Sequence, residues 1–286
     1  MKTGLILEDG GMRGLFTAGV IDVLMENGVK FDGLIGVSAG AVFGCNYKSG
    51  QIGRVLRYNT EYCRDPRYCS LRSLIKTGNL FGKDFCYREL PEELDIFDKE
   101  AFEKNPMEFY VTCTDVITGN PVYKKLDRVD ENCYEWMRAS ASLPLVSTIV
   151  EIDGRRLLDG GISDSVPLKY FENIGYDRNV VVLTQPKGYL KSKNKLIPLI
   201  KLKLHKYPGM VKAMLNRHEM YNGTLDYIAQ KEKQGEIIVI RPDTPLPVGR
   251  TEKNPDNLRK AYDLGRKVAI KNFKKITDYL AKKDNI

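Results

Sequence analysis

The segment Gly36-Val37-Ser38-Ala39-Gly40 has the residue types and the spacing that a nucleophilic serine needs. The apolar pair Leu34-Ile35 precedes it and small residues follow it, so a buried strand is predicted to turn sharply into a helix at Ser38. Such a turn would lift the hydroxyl above a sheet, and the helix N-terminus would support developing negative charge. The alternative is a glycine-rich turn in which Ser38 only caps the helix.

A second glycine-rich segment, Asp9-Gly10-Gly11-Met12-Arg13-Gly14, follows the apolar residues Gly4-Leu5-Ile6-Leu7. Tandem glycines between a strand and a helix expose backbone N–H groups that can bind an anion. A pyrophosphate is one candidate, although the dinucleotide motif would need glycine where Asp9 stands. An acyl oxyanion is the other candidate, because acyl transfer requires such donors beside the nucleophile. A glycine turn that serves only packing is the third interpretation.

A nucleophilic serine also needs a base. The two histidines, His205 and His218, occur late in polar surroundings that are typical of surface or structural histidines. In Leu157-Leu158-Asp159-Gly160-Gly161, the carboxylate of Asp159 follows a predicted strand, where partial desolvation would raise its pKa and suit it to general-base catalysis. Asp115, at another strand end, is the rival. The Asp-Gly-Gly segment also fits a plain turn.

These residues must be positioned by a sheet. Residues 4–7 read as a strand, 15–25 as a helix stopped by Asn27-Gly28, 31–36 as a strand and 39–49 as a second helix. A strand-helix-strand opening predicts neighbouring parallel strands, so both glycine-rich loops would open at one sheet edge.

The rest of the chain continues the alternation of strands and helices. Further strands are predicted at 108–113, 121–126, 148–151, 156–158, 180–184 and 237–240, and helices at 134–141, 196–234 and 255–281, with 51–104 helical or irregular. Asp153-Gly154 indicates a hairpin. The pattern predicts a three-layer α/β/α fold with a mainly parallel sheet. No linker divides the chain, so we expect one domain over 1–286, with the catalytic motifs within 3–185 and residues 186–286 completing it.

Bulk composition narrows the class of protein. The 286 residues carry a formal charge of +8, which favours an anionic partner such as phospholipid, nucleic acid or an acidic substrate. Neither a signal peptide nor a transmembrane run of 18 apolar residues is visible. Six cysteines without zinc-type spacing predict reduced thiols in a cytoplasmic protein and give no sign of a metal site.

The three motifs occur in the order found in patatin-like phospholipases, which carry GGGx[RK]G, then GxSxG, then DG[GA]. The counterparts here are residues 9–14, 36–40 and 159–161, and Ala139-Ser140-Ala141-Ser142-Leu143-Pro144 resembles the family's segment before the aspartate strand. The similarity spans roughly residues 3–185. One departure is Asp9, which replaces the family's first glycine and adds a carboxylate near the loop.

The resemblance implies a lipid acyl hydrolase with a Ser–Asp dyad and no histidine. Ser38 would be the nucleophile and Asp159 the base, while Gly10, Gly11, Met12 and Arg13 would form the oxyanion loop. Gly14, Gly36, Gly40, Gly160 and Gly161 would complete the motifs. A lipid ester is the implied substrate, with no metal or organic cofactor and no nucleic acid partner.

Two alternatives remain open from the sequence. One is a nucleotide-binding βαβ protein, and the other is a catalytically silent lipid-binding protein with the same fold. Residues 191–215 combine seven lysines with apolar residues, which predicts either peripheral contact with an anionic membrane or an ordinary helix with a buried apolar face.

Overall fold

The computed structural model describes residues 1–281. They form one sheet of eight strands: β1 (Lys2–Leu7), β2 (Gly33–Val37), β3 (Glu108–Asp115), β4 (Pro121–Lys125), β5 (Val150–Ile152), β6 (Arg155–Asp159), β7 (Tyr176–Val182) and β8 (Ile237–Ile240). The spatial order is β5-β6-β3-β2-β1-β7-β8, and β4 also pairs with β3. The central run from β3 to β8 is parallel, whereas β4, β5 and β6 join by antiparallel pairing. The predicted mainly parallel sheet is therefore confirmed.

Helices cover both faces of the sheet. Within residues 1–281 they are α1 (Gly14–Glu26), α2 (Ala39–Ser49), α3 (Arg54–Tyr62), α4 (Leu71–Thr77), α5 (Lys99–Lys104), α6 (Glu131–Ser140), α7 (Leu168–Asn173), α8 (Ile197–Lys203), α9 (Pro208–Gln234) and α10 (Pro255–Ala281). Short 3-10 turns occupy Gly11–Arg13 and Gly160–Ile162, and a π-helical stretch occupies Phe85–Leu94.

Alternation along β1 explains the three layers. Leu5 and Leu7 point to one face, where they pack in a core with side chains of α1, α2, α6 and α10. Ile6 points to the other face and packs with side chains of α7 and α9. Successive side chains of a strand face opposite ways, so a strand that is apolar throughout needs helices on both sides. The α/β/α architecture is confirmed.

Several predicted boundaries move, and the helix predicted at 196–234 is two helices, α8 and α9. The second strand begins at Gly33 rather than at residue 31, and just before it the Asp32 carboxylate accepts the amide hydrogen of Thr3 at 2.7 Å. The strand predicted at 180–184 is β7, Tyr176–Val182, so Thr184 lies beyond it. Its hydroxyl instead donates to the backbone oxygen of Asp9 at 3.2 Å, which draws Thr184 toward the glycine-rich loop.

The C-terminal third adds to the same layers. β8 extends the sheet beside β7, and α10 packs along α1. The end of the predicted single domain at residue 286 lies outside the described residues, and the assignment of the whole chain to one domain stays a prediction. Within residues 1–281, none of the helices combines the length and the apolarity needed to cross a membrane.

Candidate active site

Ser38 occupies a strained turn between β2 and α2. Its backbone has φ 54° and ψ −120°, in the half of conformational space that L-residues with a Cβ rarely adopt. Its amide hydrogen is donated to Oγ of Ser140 at 2.9 Å, and that hydroxyl donates to the Thr112 carbonyl at 2.7 Å. The turn is thus tied to the end of α6 and to the neighbouring strand β3.

The glycines around Ser38 are required by close backbone approaches. A Cβ added at Gly36 would lie 2.4 Å from the carbonyl oxygen of Gly40. A Cβ added at Gly40 would lie 2.4 Å from the Leu7 carbonyl oxygen and 2.7 Å from that of Glu8. Both distances are shorter than any normal contact, so the Ser38 turn sits directly on the end of β1 only because these positions lack side chains.

Asp159 ends β6 and is 1% exposed. Its amide hydrogen is donated to the Ser142 carbonyl at 2.8 Å, and its Oδ1 accepts the Gly161 amide hydrogen at 2.8 Å. A Cβ added at Gly160 would lie 2.1 Å from the Thr112 carbonyl oxygen, so β3 packs directly against this turn. Ser140 and Ser142 therefore hold the Ser38 turn and the Asp159 turn from one short segment.

The environment of Asp159 raises the pKa of its carboxyl group. Burial raises the pKa of Asp159 to about 6, and the charge of Asp9 adds to the rise. Arg217, the Ser38 hydroxyl and the Gly161 N–H lower that pKa in part. The Ser38 hydroxyl is close enough for this effect, yet Oδ2 of Asp159 accepts no hydrogen bond of normal length from residues 1–281. Hydrogen bonds between catalytic groups are commonly long before substrate binds.

The loop before α1 presents two unused backbone donors. The N–H groups of Gly10 and Gly11 donate to no group within the described range 1–281. The Met12 N–H instead donates to the Arg250 carbonyl at 3.1 Å, and the Arg13 N–H donates to the Gly10 carbonyl at 3.3 Å. The place of the Met12 backbone in an oxyanion loop stays a prediction, and its N–H already donates to a loop that is distant in sequence.

Asp9 is buried beside this loop and is held charged by cations. Burial alone would raise the pKa of Asp9, but the charges of Arg217, Lys191, Arg250 and Arg13 together lower it. Arg217 Nη2 lies 3.1 Å from Oδ2 of Asp9, and an Arg250 nitrogen lies 3.9 Å from the same oxygen. The extra carboxylate that replaces the family's glycine is thus offset by guanidinium groups.

Arg13 and Glu8 lie beneath the same loop. Arg13 Nε donates weakly to Oγ1 of Thr184 at 3.4 Å. The fully buried Glu8 carboxylate accepts hydrogen bonds from the Thr184 N–H and the Tyr221 hydroxyl. Burial and the charge of Asp9 raise the pKa of Glu8. Glu8 therefore links the end of β1 to α9.

A cavity of about 160 Å³ opens at Ser38 and Asp159. Asp9, Arg250 and Thr251 are among the polar residues that line it. The remainder is mainly apolar and includes Val42, Phe43, Leu80, Phe81, Leu90 and Met137. This shape suits a molecule with a long apolar part and a polar part that meets Ser38.

The other sequence candidates lie elsewhere. His205 and His218 sit near the surface, and the Nδ1 atom of each lies 3.0 Å and 3.1 Å, respectively, from a carbonyl oxygen three residues earlier. Asp115 accepts the amide hydrogens of Ile117 and Thr118, and so stabilises its own turn. Neither the histidines nor Asp115 line the cavity. Residues 1–281 contain no group of three or more His, Cys, Asp or Glu side chains that could hold a metal ion.

Sequence reasoning missed Arg217 and Arg250. Arg217 comes from the middle of α9, and its Nε donates to the Gly161 carbonyl at 2.6 Å in addition to the contact with Asp9. Arg250 comes from the loop after β8, and its carbonyl oxygen accepts the Met12 N–H. Neither arginine belongs to a local motif, so only the tertiary structure places them here.

Comparison with known proteins identifies the family. A sequence profile described as patatin-like phospholipase matches residues 5–172, which is more than half of the chain. The chain therefore belongs to the patatin-like phospholipase family, and the resemblance seen in the motifs is confirmed. A second profile, described as a domain of unknown function (DUF6363), matches residues 207–281 and thus includes both Arg217 and Arg250.

Individual relatives are distant. An uncharacterised NTE family protein of Mycobacterium tuberculosis is 28% identical over 63% of this chain and 48% of its own length, so the chain spans about half of that relative. The uncharacterised protein YjjU of Escherichia coli is 27% identical over 93% of this chain and 75% of its own length. A lysophospholipase nte1 of Aspergillus terreus is 27% identical over 62% of this chain and 11% of its own. Among solved structures, VipD from Legionella pneumophila superimposes with a TM-score of 0.47 at 12% identity, over 96% of this chain and 67% of that one.

Proposed function

We propose that this chain is a serine lipid acyl hydrolase that cleaves fatty-acyl esters of phospholipids, lysophospholipids or related lipids through an acyl-enzyme. The observation that carries the proposal is the position of Ser38. A serine in a strained turn shares one apolar cavity with a buried aspartate whose pKa is raised to about 6. Strain of this kind is retained where the surrounding structure holds a reactive group in place.

In the proposed reaction, Asp159 accepts the proton of Ser38 while the serine oxygen attacks the ester carbonyl carbon. The carbon–oxygen bond to the alcohol then breaks, and Asp159 returns the proton to the departing alkoxide. A water molecule, deprotonated by Asp159, attacks the acyl-enzyme and releases the fatty acid, which restores the serine hydroxyl. A base with a pKa near 6 is ionised at neutral pH and still accepts a proton readily.

We assign the oxyanion hole to the unused N–H groups of Gly10 and Gly11. They belong to the loop that follows β1, next to the Ser38 turn at the end of the neighbouring strand β2. Preorganised backbone donors of this kind stabilise the tetrahedral intermediate without reorganisation. The apolar remainder of the cavity then receives the fatty-acyl chain.

A phosphonate probe and an ester panel test the dyad. We expect a fluorophosphonate to label the wild-type protein and the Ser192→Ala control, in which an exposed serine is removed, but not Ser38→Ala. Ester turnover should fall by a factor on the order of 10⁴ in Ser38→Ala and Asp159→Asn, with the double variant scarcely worse, because the two residues act as a unit. His205→Ala and His218→Ala should retain most activity.

Each competing function gives a different result. Absence of labelling and of turnover in the folded wild-type protein would favour the catalytically silent lipid-binding protein. A thermal shift that saturates with NAD would favour the nucleotide-binding protein, which the charged Asp9 and the apolar cavity disfavour. A folded histidine variant as inactive as Ser38→Ala would replace the dyad by a triad.

We also propose a cytoplasmic location with peripheral contact at anionic membranes. All six cysteines are free thiols, which suits a reducing compartment. In α8, Ile200 is buried, whereas Leu199 and Leu202 are exposed beside the exposed lysines 201 and 203. One face of the helix thus packs on the protein while another presents apolar and basic side chains to an anionic surface.

A further inference from the structure

Two strand ends meet head to head along one edge of β3. β4 pairs with β3 along residues 110–114 and so occupies the other edge throughout. On the remaining edge, β2 runs parallel to β3 as far as the pair Val37–Thr112. β6 runs antiparallel from the opposite direction, and it reaches the pair Asp159–Cys113. These last partners are consecutive residues of β3, about 3.3 Å apart along the strand, so the turn that follows β2 lies beside Asp159.

The hydroxyl of Ser140 fastens the Ser38 turn to β3. Ser140 is the last residue of α6 and is fully buried. Its Oγ accepts the Ser38 N–H at 2.9 Å and donates to the Thr112 carbonyl at 2.7 Å. Ser38 has a left-handed φ of 54°, which a residue with a side chain retains only where the surrounding structure holds it. Without the Ser140 hydroxyl, that buried N–H loses its acceptor and the turn can relax.

The hydroxyl of Thr114 fastens the end of β6 to the same strand. Thr114 is fully buried, and its Oγ1 donates to the Asp159 carbonyl at 2.8 Å. A hydroxyl has one hydrogen, so the Ser163 hydroxyl, which lies 2.8 Å away, donates to Thr114. The chain cannot shift toward β3, because a Cβ added at Gly160 would lie 2.1 Å from the Thr112 carbonyl oxygen. Both fastenings are therefore made within three residues of one strand.

We propose that Ser140 and Thr114 are positioning residues that together set the distance between the Ser38 hydroxyl and the Asp159 carboxyl. This inference rests on the proposed hydrolase function. Neither positioning residue lines the cavity, so each acts through the backbone of one member of the dyad and not on the substrate. Misplacement of reacting groups by about 1 Å can cost on the order of 10²-fold in rate.

Removal of one hydroxyl at a time tests the proposal. We expect kcat for a p-nitrophenyl ester to fall on the order of 10²-fold in folded Ser140→Ala and in folded Thr114→Val, with KM nearly unchanged. Thr114→Ser, which keeps the hydroxyl, should retain most of the wild-type kcat. Thr17→Val is the matched control, because that buried threonine of α1 has a hydroxyl without a partner within residues 1–281. The double variant should lose less than the product of the two single losses, because both hydroxyls set one distance.

The pH profile separates positioning from general damage to the site. Burial raises the pKa of Asp159, and the Ser38 hydroxyl lowers it in part. The other titratable groups around this carboxyl are Asp9, Arg217, Tyr87 and Cys113. Burial raises the pKa of the last two, which are therefore neutral near pH 6. Ser140→Ala keeps these four groups and releases only the Ser38 turn, so the pH at which kcat/KM rises should move upward.

Failure of this inference differs from failure of the hydrolase proposal. Ser38-dependent turnover with near-wild-type kcat in folded Ser140→Ala and Thr114→Val overturns the positioning role and leaves the hydrolase intact. A lower kcat accompanied by a raised KM and an unmoved pH profile also overturns it. If Ser140→Ala does not fold, the comparison of Thr114→Val with Thr114→Ser decides the question. If the folded wild-type protein cleaves no ester, both proposals fail.

Discussion

Arg217 joins two loops of the candidate site by contacting Asp9 and the turn that follows Asp159. One guanidinium nitrogen lies 3.1 Å from Oδ2 of Asp9, and Nε donates to the Gly161 carbonyl at 2.6 Å. A single side chain from α9 thus fixes the glycine-rich loop before α1 relative to the Asp159 turn, and its charge lowers the pKa of both aspartates.

We therefore expect Arg217→Met to raise the pKa of Asp159 and shift the acid limb of the rate profile to higher pH. Removing one partner of a buried ion pair also costs about 3–5 kcal/mol of stability. The measurements are the pH dependence of kcat/KM and the urea midpoint. Arg217→Lys should restore part of the pH profile, and Arg259→Met, at an exposed arginine of α10, should change neither quantity. An unmoved acid limb in folded Arg217→Met would leave the arginine with a structural role only.

The rate of ester hydrolysis should rise with pH through about 6. In the proposed reaction Asp159 is the base and must be ionised, and its pKa is raised to about 6. The pH profile of kcat/KM between pH 4.5 and 8 measures this acid limb, which is the range in which the rate rises with pH. Asp9→Asn should move that limb to lower pH, because the charge of Asp9 contributes to the raised pKa. A limb that stays below pH 5 in the wild-type protein would assign the base to another residue.

Asp159→Asn should stabilise the protein at pH 8 and not at pH 4. The folded pKa of Asp159 is raised above its ordinary value of 3.8, so protonation favours the folded state below about pH 4 and this contribution disappears as pH rises through 6. At about 1.4 kcal/mol per pKa unit, the ionised carboxylate costs about 3 kcal/mol above pH 7. Urea unfolding of both proteins at pH 4 and pH 8 tests the sign, and an equal difference at both values would contradict it.

The two glycines of the oxyanion loop should respond differently to alanine. At Gly10, which has φ −172°, a Cβ would lie 3.1 Å from the Thr184 side chain and 3.4 Å from the Gly14 nitrogen, so Gly10→Ala should fold and lose about 10²–10³ in turnover if its N–H is displaced. Gly11 has φ 55°, and a Cβ would lie 2.6 Å from the Arg250 carbonyl oxygen. Gly11→Ala should therefore also lower the melting temperature. Near-normal turnover in both variants would place the oxyanion elsewhere.

Exposed apolar side chains of α4 and α8 should bind lipid. Leu71 and Ile75 of α4 are 71% and 87% exposed, and Leu80, just beyond α4, donates its N–H to the carbonyl of Val146, which lines the cavity. We expect Ile75→Asp and Leu202→Asp each to weaken cosedimentation with anionic vesicles severalfold. Ile270→Asp, at an exposed position of α10, is the matched control. If the wild-type protein binds neutral vesicles as well as anionic ones, electrostatic attraction does not contribute to the binding.

The fold and the short motifs could be predicted because their signals are local. The apolar run before Ser38, the small residues after it and the stop at Asn27-Gly28 each specify structure within a few residues, and the strands and helices lie close to the predicted ranges. Met12 could not be assigned in this way, because its N–H is used by Arg250 from a loop remote in sequence. The contacts of Arg217 could not be predicted for the same reason, since the sequence around an arginine in a polar helix does not indicate its distant partners.

The bond between the Met12 N–H and the Arg250 carbonyl also has a consequence for biosynthesis. Domains generally begin to fold from the N-terminus as the chain leaves the ribosome. The Ser38 turn is synthesised early, but the loop beside it is fixed only after α9, β8 and the segment around residue 250 have emerged. A nascent chain that contains all three motifs therefore still lacks the contact that holds the glycine-rich loop, and it gains that contact only when most of the chain has been made.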